Sequence, residues 1–150
     1  MTSKERVLER ERQRGKHDAQ EVQKNAESMT GTELYAADDC IPSFTAACKK
    51  MNMLERPIGF TCMSPGGRVV RLLQPYDSET YPLEPEDLPA QWGFKWSTDP
   101  SKAQPFIAIS TSPYNEGECC TESGIVYRSK LNANVFRPSA YPSGWEVVEM

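Results

Sequence analysis

The pattern of apolar and polar positions changes near residue 40 and divides the chain into a helical part and a β-like part. Before that point apolar residues are few, and those that recur share two positions of a seven-residue repeat: Leu8, Ala19, Val22, Ala26 and Met29. Opposite charges at helical spacing, as at Glu9 and Arg12, favour a helix. The apolar stripe is too thin to stabilise an isolated helix. The pattern therefore predicts either a frayed solvated helix or an anchor and oligomerisation arm, ordered by contact with partner chains.

The chain from Pro57 onward shows short runs rich in β-branched and aromatic residues, separated by turns of Pro, Gly, Ser and Asp. Such runs predict strands. The clearest runs are 58–62, 68–74, 105–110, 117–120, 124–131 and 145–150. Two pairs are separated by short glycine-containing turns, which predicts hairpins at 58–74 and 117–131.

The two predicted hairpins share an internal repeat. The matched positions are Gly59 with Gly117, Cys62 with Cys120, Gly67 with Gly124, Val70 with Tyr127, and Arg71 with Arg128. Each hairpin is followed by a polar, proline-containing loop and a Pro-x-x-Trp motif that ends at Trp92 or Trp145. A tryptophan laid across a small sheet supplies much of the apolar area that the sheet needs. We therefore expect both tryptophans to be buried in equivalent places.

The repeat defines the predicted architecture. The fold class is mainly β, with an N-terminal helical arm followed by two tandem small three-stranded β modules. The predicted boundaries are 1–37 for the arm and its linker, 38–98 for module 1 and 99–150 for module 2.

Composition and charge exclude several classes of function. The 150-residue chain has a net charge of −4, whereas nucleic-acid binding needs a basic surface. No apolar run has the length of a membrane span, and the first residues lack the apolar core of a secretory signal. The five cysteines are odd in number and follow no secretory signal, which favours reduced thiols; a redox or intermolecular link is the alternative.

The residues also argue against catalysis. His17 is the single histidine, which leaves a cysteine or serine nucleophile without a base and removes most metal sites. The acidic residues Glu79, Glu84, Glu86 and Asp87 share one proline-rich loop, where we expect them to be solvated. We expect no enzyme activity, no cofactor and no bound metal.

Five aromatic residues in loops are candidates for ligand binding, because they lie beside proline and polar residues: Tyr76, Tyr81, Trp96, Phe136 and Tyr141. Exposed rings next to Asp, Asn and Arg suit a carbohydrate site or a protein interface. The alternative is that they pack beneath the proline-rich loops. Trp96 is expected to be the most exposed of the five.

The segment from Pro113 through Gly124-Ile-Val-Tyr-Arg-Ser to Tyr141-Pro-Ser-Gly-Trp-Glu-Val-Val resembles the small chitin-binding-type modules of bacterial chitinases. It is still more similar to the versions carried by structural proteins of phage tails and adsorption apparatus. The likeness covers about residues 38–149. The adjacent aromatic pair that stacks on sugar in those modules is replaced by Arg71-Leu-Leu-Gln74 in module 1 and Arg128-Ser-Lys-Leu131 in module 2.

This resemblance implies a phage virion structural protein: a fibre, tail or adsorption accessory for host-surface attachment, made in the bacterial cytoplasm and carried on the virion. The implied partners are other virion proteins, further copies of the chain (a trimer by analogy with phage fibres) and a cell-surface glycan. The alternatives are a capsid decoration or tail-collar protein that binds no glycan, and an accessory domain of a cell-wall hydrolase.

Overall fold

The computed structural model describes residues 20–149. Its first residues, 20–25, are helical. Two further α-helices follow, α1 at Gly31–Ala36 and α2 at Phe44–Lys50. The strands are β1 at Thr61–Met63, β2 at Val69–Leu72, β3 at Trp92–Phe94, β4 at Gln104–Pro105, β5 at Cys119–Glu122, β6 at Ile125–Ser129 and β7 at Trp145–Val148.

The strands form two small sheets. The first has the antiparallel order β1-β2-β3, and the second has the order β4-β5-β6-β7, in which only β4 and β5 are parallel. The fold is thus small and β-rich with few helices. The expectation of three strands in module 2 was wrong, because Gln104 and Pro105 pair with β5. The remainder of the predicted strand at 105–110 is irregular.

The predicted repeat is confirmed at the level of strand register. Cys62 lies opposite Val70 in the first sheet, and Cys120 lies opposite Tyr127 in the second. Trp92 pairs with Leu72 as Trp145 pairs with Ser129, and both tryptophans are buried. The three-stranded meander β1-β2-β3 therefore has the same topology as β5-β6-β7.

The glycines at the start of each hairpin explain why the sequence repeats there. Gly59 donates its N–H to the carbonyl of Leu72 at 2.8 Å, and Gly117 donates to the carbonyl of Ser129 at 2.9 Å. Both glycines have φ of +92°, which L side chains rarely adopt. At this position the repeat in sequence thus marks a backbone conformation that glycine adopts readily and other residues rarely do.

The structural repeat begins earlier than the sequence indicates. Ser43 forms a parallel bridge with Met63, at the position that β4 occupies beside β5. The residue after each bridge is a phenylalanine whose ring meets the module's tryptophan edge-on. The ring centroids are 5.7 Å apart for Phe44 and Trp92, and 6.1 Å apart for Phe106 and Trp145.

The two modules share one hydrophobic core. A single cluster of buried side chains contains residues from both sheets, including Trp92, Cys120 and Trp145. Trp96 joins the two halves: its ring stacks on Phe94 at 5.8 Å and on Tyr114 at 4.4 Å between centroids. The boundaries at 98 and 99 stay a prediction, and the shared core predicts that the two modules unfold together.

The described end of the arm packs against module 1. Ala26 is buried with Leu34, Tyr35, Ile41 and Val69, and Val22 and Met29 lie at the margin of this cluster. Residues 20–29 are thus ordered by contacts of their apolar side chains within the chain itself, and the predicted role of Val22, Ala26 and Met29 in oligomerisation stays a prediction. Leu8 and Ala19 lie outside the described residues, and their role in oligomerisation stays a prediction.

A side chain of the arm also closes the free edge of β1. The amide of Gln23 accepts a hydrogen bond from the N–H of Thr61 at 3.0 Å and donates one to the carbonyl of the same residue. Glu27 forms an ion pair with Arg71 on the neighbouring strand. At the matching place in module 2, the N–H of Cys119 donates to the carbonyl of Ser97. The arm therefore forms hydrogen bonds to β1 of module 1, and the last residues of module 1 form the equivalent bond to β5 of module 2.

Candidate functional site

Two of the five candidate aromatic residues are buried, contrary to expectation. Trp96 is only 3% exposed, because Phe94 and Tyr114 cover its two faces and its indole N–H donates to the carbonyl of Ser112 at 2.9 Å. Tyr76 is 8% exposed and its hydroxyl accepts a hydrogen bond from the indole N–H of Trp92 at 3.1 Å. Neither ring can present a face to a ligand.

Tyr81 is exposed, as expected, on a loop that Asp77 organises. The Asp77 carboxylate accepts hydrogen bonds from the amide of Asn52 at 2.9 Å and the hydroxyl of Thr80 at 2.8 Å. These bonds stabilise the charged carboxylate and lower its pKa to about 2. Tyr81 then lies with Leu83 at the mouth of a shallow pocket over α2. The other aromatic residue that lines this pocket, Phe44, is buried.

Phe136 and Tyr141 form the one pair of exposed candidate rings that touch in the described part of the chain. They are 54% and 42% exposed, and their ring centroids lie 5.5 Å apart with the planes tilted by 45°. Both lie in the loop between β6 and β7, in the segment that carries the resemblance to chitin-binding-type modules. This pair is the candidate binding surface.

The loop that carries the pair is held by the buried core of module 2. The indole N–H of Trp145 donates to the carbonyl of Phe136 at 2.8 Å. The buried Asn134 accepts from the N–H of Phe136 at 3.2 Å and donates to the carbonyl of Gly144 at 3.2 Å. Tyr141 lies so close over Gly144 that a Cβ there would be 2.6 Å from the ring. The rings are therefore positioned by the fold rather than left on a free loop.

Charged groups flank the ring pair. The guanidinium of Arg137 lies 3.8 Å from the carboxylate of Glu122, and its central carbon lies 6.0 Å from the centroid of the Phe106 ring. Exposed apolar surface of Leu131 adjoins Tyr141 across Gly144. Aromatic faces beside a guanidinium and a carboxylate can stack on an apolar sugar face and hydrogen-bond its hydroxyls.

A polar cleft of about 420 Å³ lies between the two modules, beside Arg71, Lys95 and Glu118. Burial raises the pKa of Glu118 above its ordinary value, and its carboxylate accepts a hydrogen bond from the N–H of Asn115. Trp96 borders the cleft, but its faces are occupied by other rings. The cleft thus offers polar groups without a free ring face, unlike the surface formed by Phe136 and Tyr141.

The four acidic residues of the proline-rich loop differ in their exposure. Glu79, Glu84 and Asp87 are exposed, as expected. Glu86 differs from the expectation, because its carboxylate is partly buried and forms an ion pair with Arg68 at 2.8 Å. Among residues 20–149, no group of His, Cys, Asp and Glu side chains is arranged to hold a metal ion. No helix in the same range is long and apolar enough to cross a membrane.

Cys48, Cys62, Cys119 and Cys120 are free thiols, and the repeat places Cys62 and Cys120 at equivalent buried positions. Burial raises the pKa of the Cys62 thiol above its ordinary value, and it raises the pKa of Cys120 from 9.0 to about 12. A thiol held neutral in this way is a poor nucleophile. Both residues pack within the core that the two sheets share.

The raised thiol pKa of Cys120 predicts a loss of stability at high pH. Between pH 9.0 and about 12 the unfolded chain releases a proton from this thiol that the folded chain retains. The free energy of unfolding should therefore be unaffected by this group below pH 9 and fall as the pH rises above it. Urea titrations across this range would measure the effect. The control variant Cys120→Ala lacks this thiol, so its free energy of unfolding should fall less over the same pH range. If Cys120→Ala and the wild-type protein show the same pH dependence, the prediction is wrong.

No protein-family model, curated protein or solved structure matches this chain.

Proposed function

We propose that the protein is a phage virion structural protein, a fibre, tail or adsorption accessory that displays two carbohydrate-binding-like modules for host-surface attachment. The observation that carries this proposal is the repeated β unit, with matching register, glycine conformations and buried tryptophans. This repeat coincides with the segments that resemble the tandem modules of phage adsorption proteins. The partners in this proposal are other virion proteins, with the arm as the attachment segment, and further copies of the chain.

The proposed contact with the host is the ring pair of Phe136 and Tyr141. It is exposed, held by Trp145 and Asn134, and flanked by Arg137. A rigid aromatic surface loses little conformational entropy when it binds, which favours a weak glycan ligand. Because each chain presents one such pair, several copies on a particle would supply avidity.

The second candidate is a capsid decoration or tail-collar protein that binds only protein. The specific observation in its favour is that the middle strands carry charged side chains where the sugar-binding modules have an aromatic pair. Arg71 is paired with Glu27, and Arg128 lies 3.4 Å from Glu146. Neither sheet offers a flat ring surface at this position.

Glycan arrays and host cell-wall sedimentation assays would test the proposal with the double variant Phe136→Ala/Tyr141→Ala. We expect its affinity to fall by at least about tenfold, because two ring contacts are lost. Its free energy of unfolding should change little, since both side chains are largely exposed. The matched control is Tyr81→Ala, which removes an exposed ring elsewhere on module 1 and should retain binding.

The alternatives give different results in the same experiments. If the wild-type protein binds no glycan or cell wall at any concentration but is found in purified particles, the decoration or tail-collar function is correct. If mass spectrometry of purified particles finds no copy of the chain, the virion assignment itself is wrong.

A further inference from the structure

The outer edge of β7 is an open strand edge. The N–H of Lys130 donates to the carbonyl of Gly144, so the hydrogen-bonded pairs along β6 and β7 continue at Glu146 and Val148. The backbone groups of Trp145 and Val147 therefore point away from β6. The N–H of Trp145 donates to the carbonyl of Pro142 in the same chain, which leaves the edge open at Val147. Within residues 20–149 no hydrogen bond is formed by the N–H of Val147, whose side chain is 60% exposed.

In module 1, the strand edge equivalent to that of β7 is the edge of β3, and it is covered. Phe94 is the counterpart of Val147, because each lies two residues after the module's tryptophan. The N–H of Phe94 donates to the hydroxyl of Ser112 at 2.9 Å, and its ring is buried against Trp96. Module 2 thus covers the β3 edge of module 1, whereas the described chain leaves the equivalent β7 edge of module 2 uncovered.

We infer that β7 pairs antiparallel with β7 of a second copy of this chain, about a two-fold axis at Val147. In that register the two Val147 residues exchange both N–H···O=C bonds. Trp145 of each copy faces Glu149 of the other, and Glu146 faces Val148. The two four-stranded sheets then become one continuous sheet across the dimer.

The side chains on the edge suit a second copy. The proposed register places no two carboxylates directly opposite each other, and Glu146 keeps its ion pair with Arg128 in its own chain. The exposed apolar side chains of Val147 meet across the axis, near Ile125, which is also exposed. Edges that proteins protect from pairing carry charged side chains, Pro or a bulge; β7 has no Lys, Pro or bulge, and its charged side chain, Glu146, is paired with Arg128.

Sedimentation of the full chain over a range of concentrations tests the inference with Val147→Pro. This substitution removes the outward N–H and leaves the bonds between β6 and β7 intact, as proline is tolerated at such an edge position. We expect the wild-type protein to dimerise and Val147→Pro to raise the dissociation constant by at least about tenfold. The matched control is Val147→Thr, which keeps the N–H and the β-branched shape and should still dimerise.

Hydrogen exchange of wild-type protein supplies a second measurement that does not depend on how the proline variant folds. The amide of Val147 should exchange more slowly as the protein concentration rises, whereas the amide of Val148, bonded within the sheet, should not change. A wild-type monomer at all concentrations, or a dimer whose dissociation constant is the same in Val147→Pro, would overturn the inference. So would a Val147 amide protected only when another virion protein is added. None of these results depends on whether the chain binds a glycan.

Discussion

Replacing Trp96 by alanine is expected to lower the free energy of unfolding by about 3–5 kcal/mol, the usual range for removing a large aromatic side chain from a core. The ring is 3% exposed and lies between Phe94 and Tyr114. Its indole N–H is bonded to the carbonyl of Ser112, which would be left without its partner. The lost interactions join module 1 to module 2, so the variant should also unfold in a broader transition than the wild-type protein.

Urea unfolding, followed separately by far-ultraviolet circular dichroism and by tryptophan fluorescence, would measure both effects. The wild-type curves should coincide, because one core spans the two sheets. The control is Tyr81→Ala, which removes an exposed ring and should change the free energy of unfolding by less than about 0.5 kcal/mol. A Trp96→Ala protein as stable as the wild type would show that the two modules do not share a core.

The repeat could be predicted from the sequence because its determinants are local. Gly59 and Gly117 mark the same backbone conformation with positive φ, and each hairpin turn contains a further glycine in that region, Gly67 or Gly124. Strand register then follows from which residues face the core. Trp92 and Trp145 were correctly expected to be buried, because a small sheet has few other large apolar side chains to cover it.

The burial of Trp96 and Tyr76 could not be predicted, because the groups that cover them are distant in sequence. Trp96 is covered by Tyr114, which belongs to the other module, and Tyr76 is tied to Trp92 across a long loop. Both residues stand in polar, proline-containing segments that look solvent-exposed when only neighbours in sequence are considered. The exposed positions of Phe136 and Tyr141 were expected correctly, although their contact with each other depends on how Trp145 holds the loop.

The docking of the arm was missed for a different reason. Its apolar side chains are small and few. The apolar area that they can bury therefore suggested that contacts within the chain would not be enough to order the arm. The structure adds polar contacts that composition does not reveal: Gln23 closes the edge of β1, and Glu27 pairs with Arg71. Thr30 then caps α1 through a reciprocal pair of hydrogen bonds with Glu33.

The Arg68–Glu86 pair connects three parts of the fold. The guanidinium of Arg68 lies 2.8 Å from the Glu86 carboxylate and donates a second bond to the carbonyl of Pro105 at 2.7 Å. The hydroxyl of Ser64 donates to the same carboxylate oxygen. Because both charged side chains are largely withdrawn from water, each depends on the other for its stability in the folded chain.

Removing one charged residue of this pair is therefore expected to lower the free energy of unfolding more than removing both. Arg68→Met or Glu86→Met alone should lower the free energy of unfolding by about 3–5 kcal/mol, because a buried charge is left without its partner. The double variant Arg68→Met/Glu86→Met should recover a large part of that loss, since no unpaired charge remains and two apolar side chains fill the space. Urea unfolding of the four proteins gives the coupling energy directly. If the two single losses simply add in the double variant, the pair is not coupled and the bonds to Pro105 and Ser64 carry the stability instead.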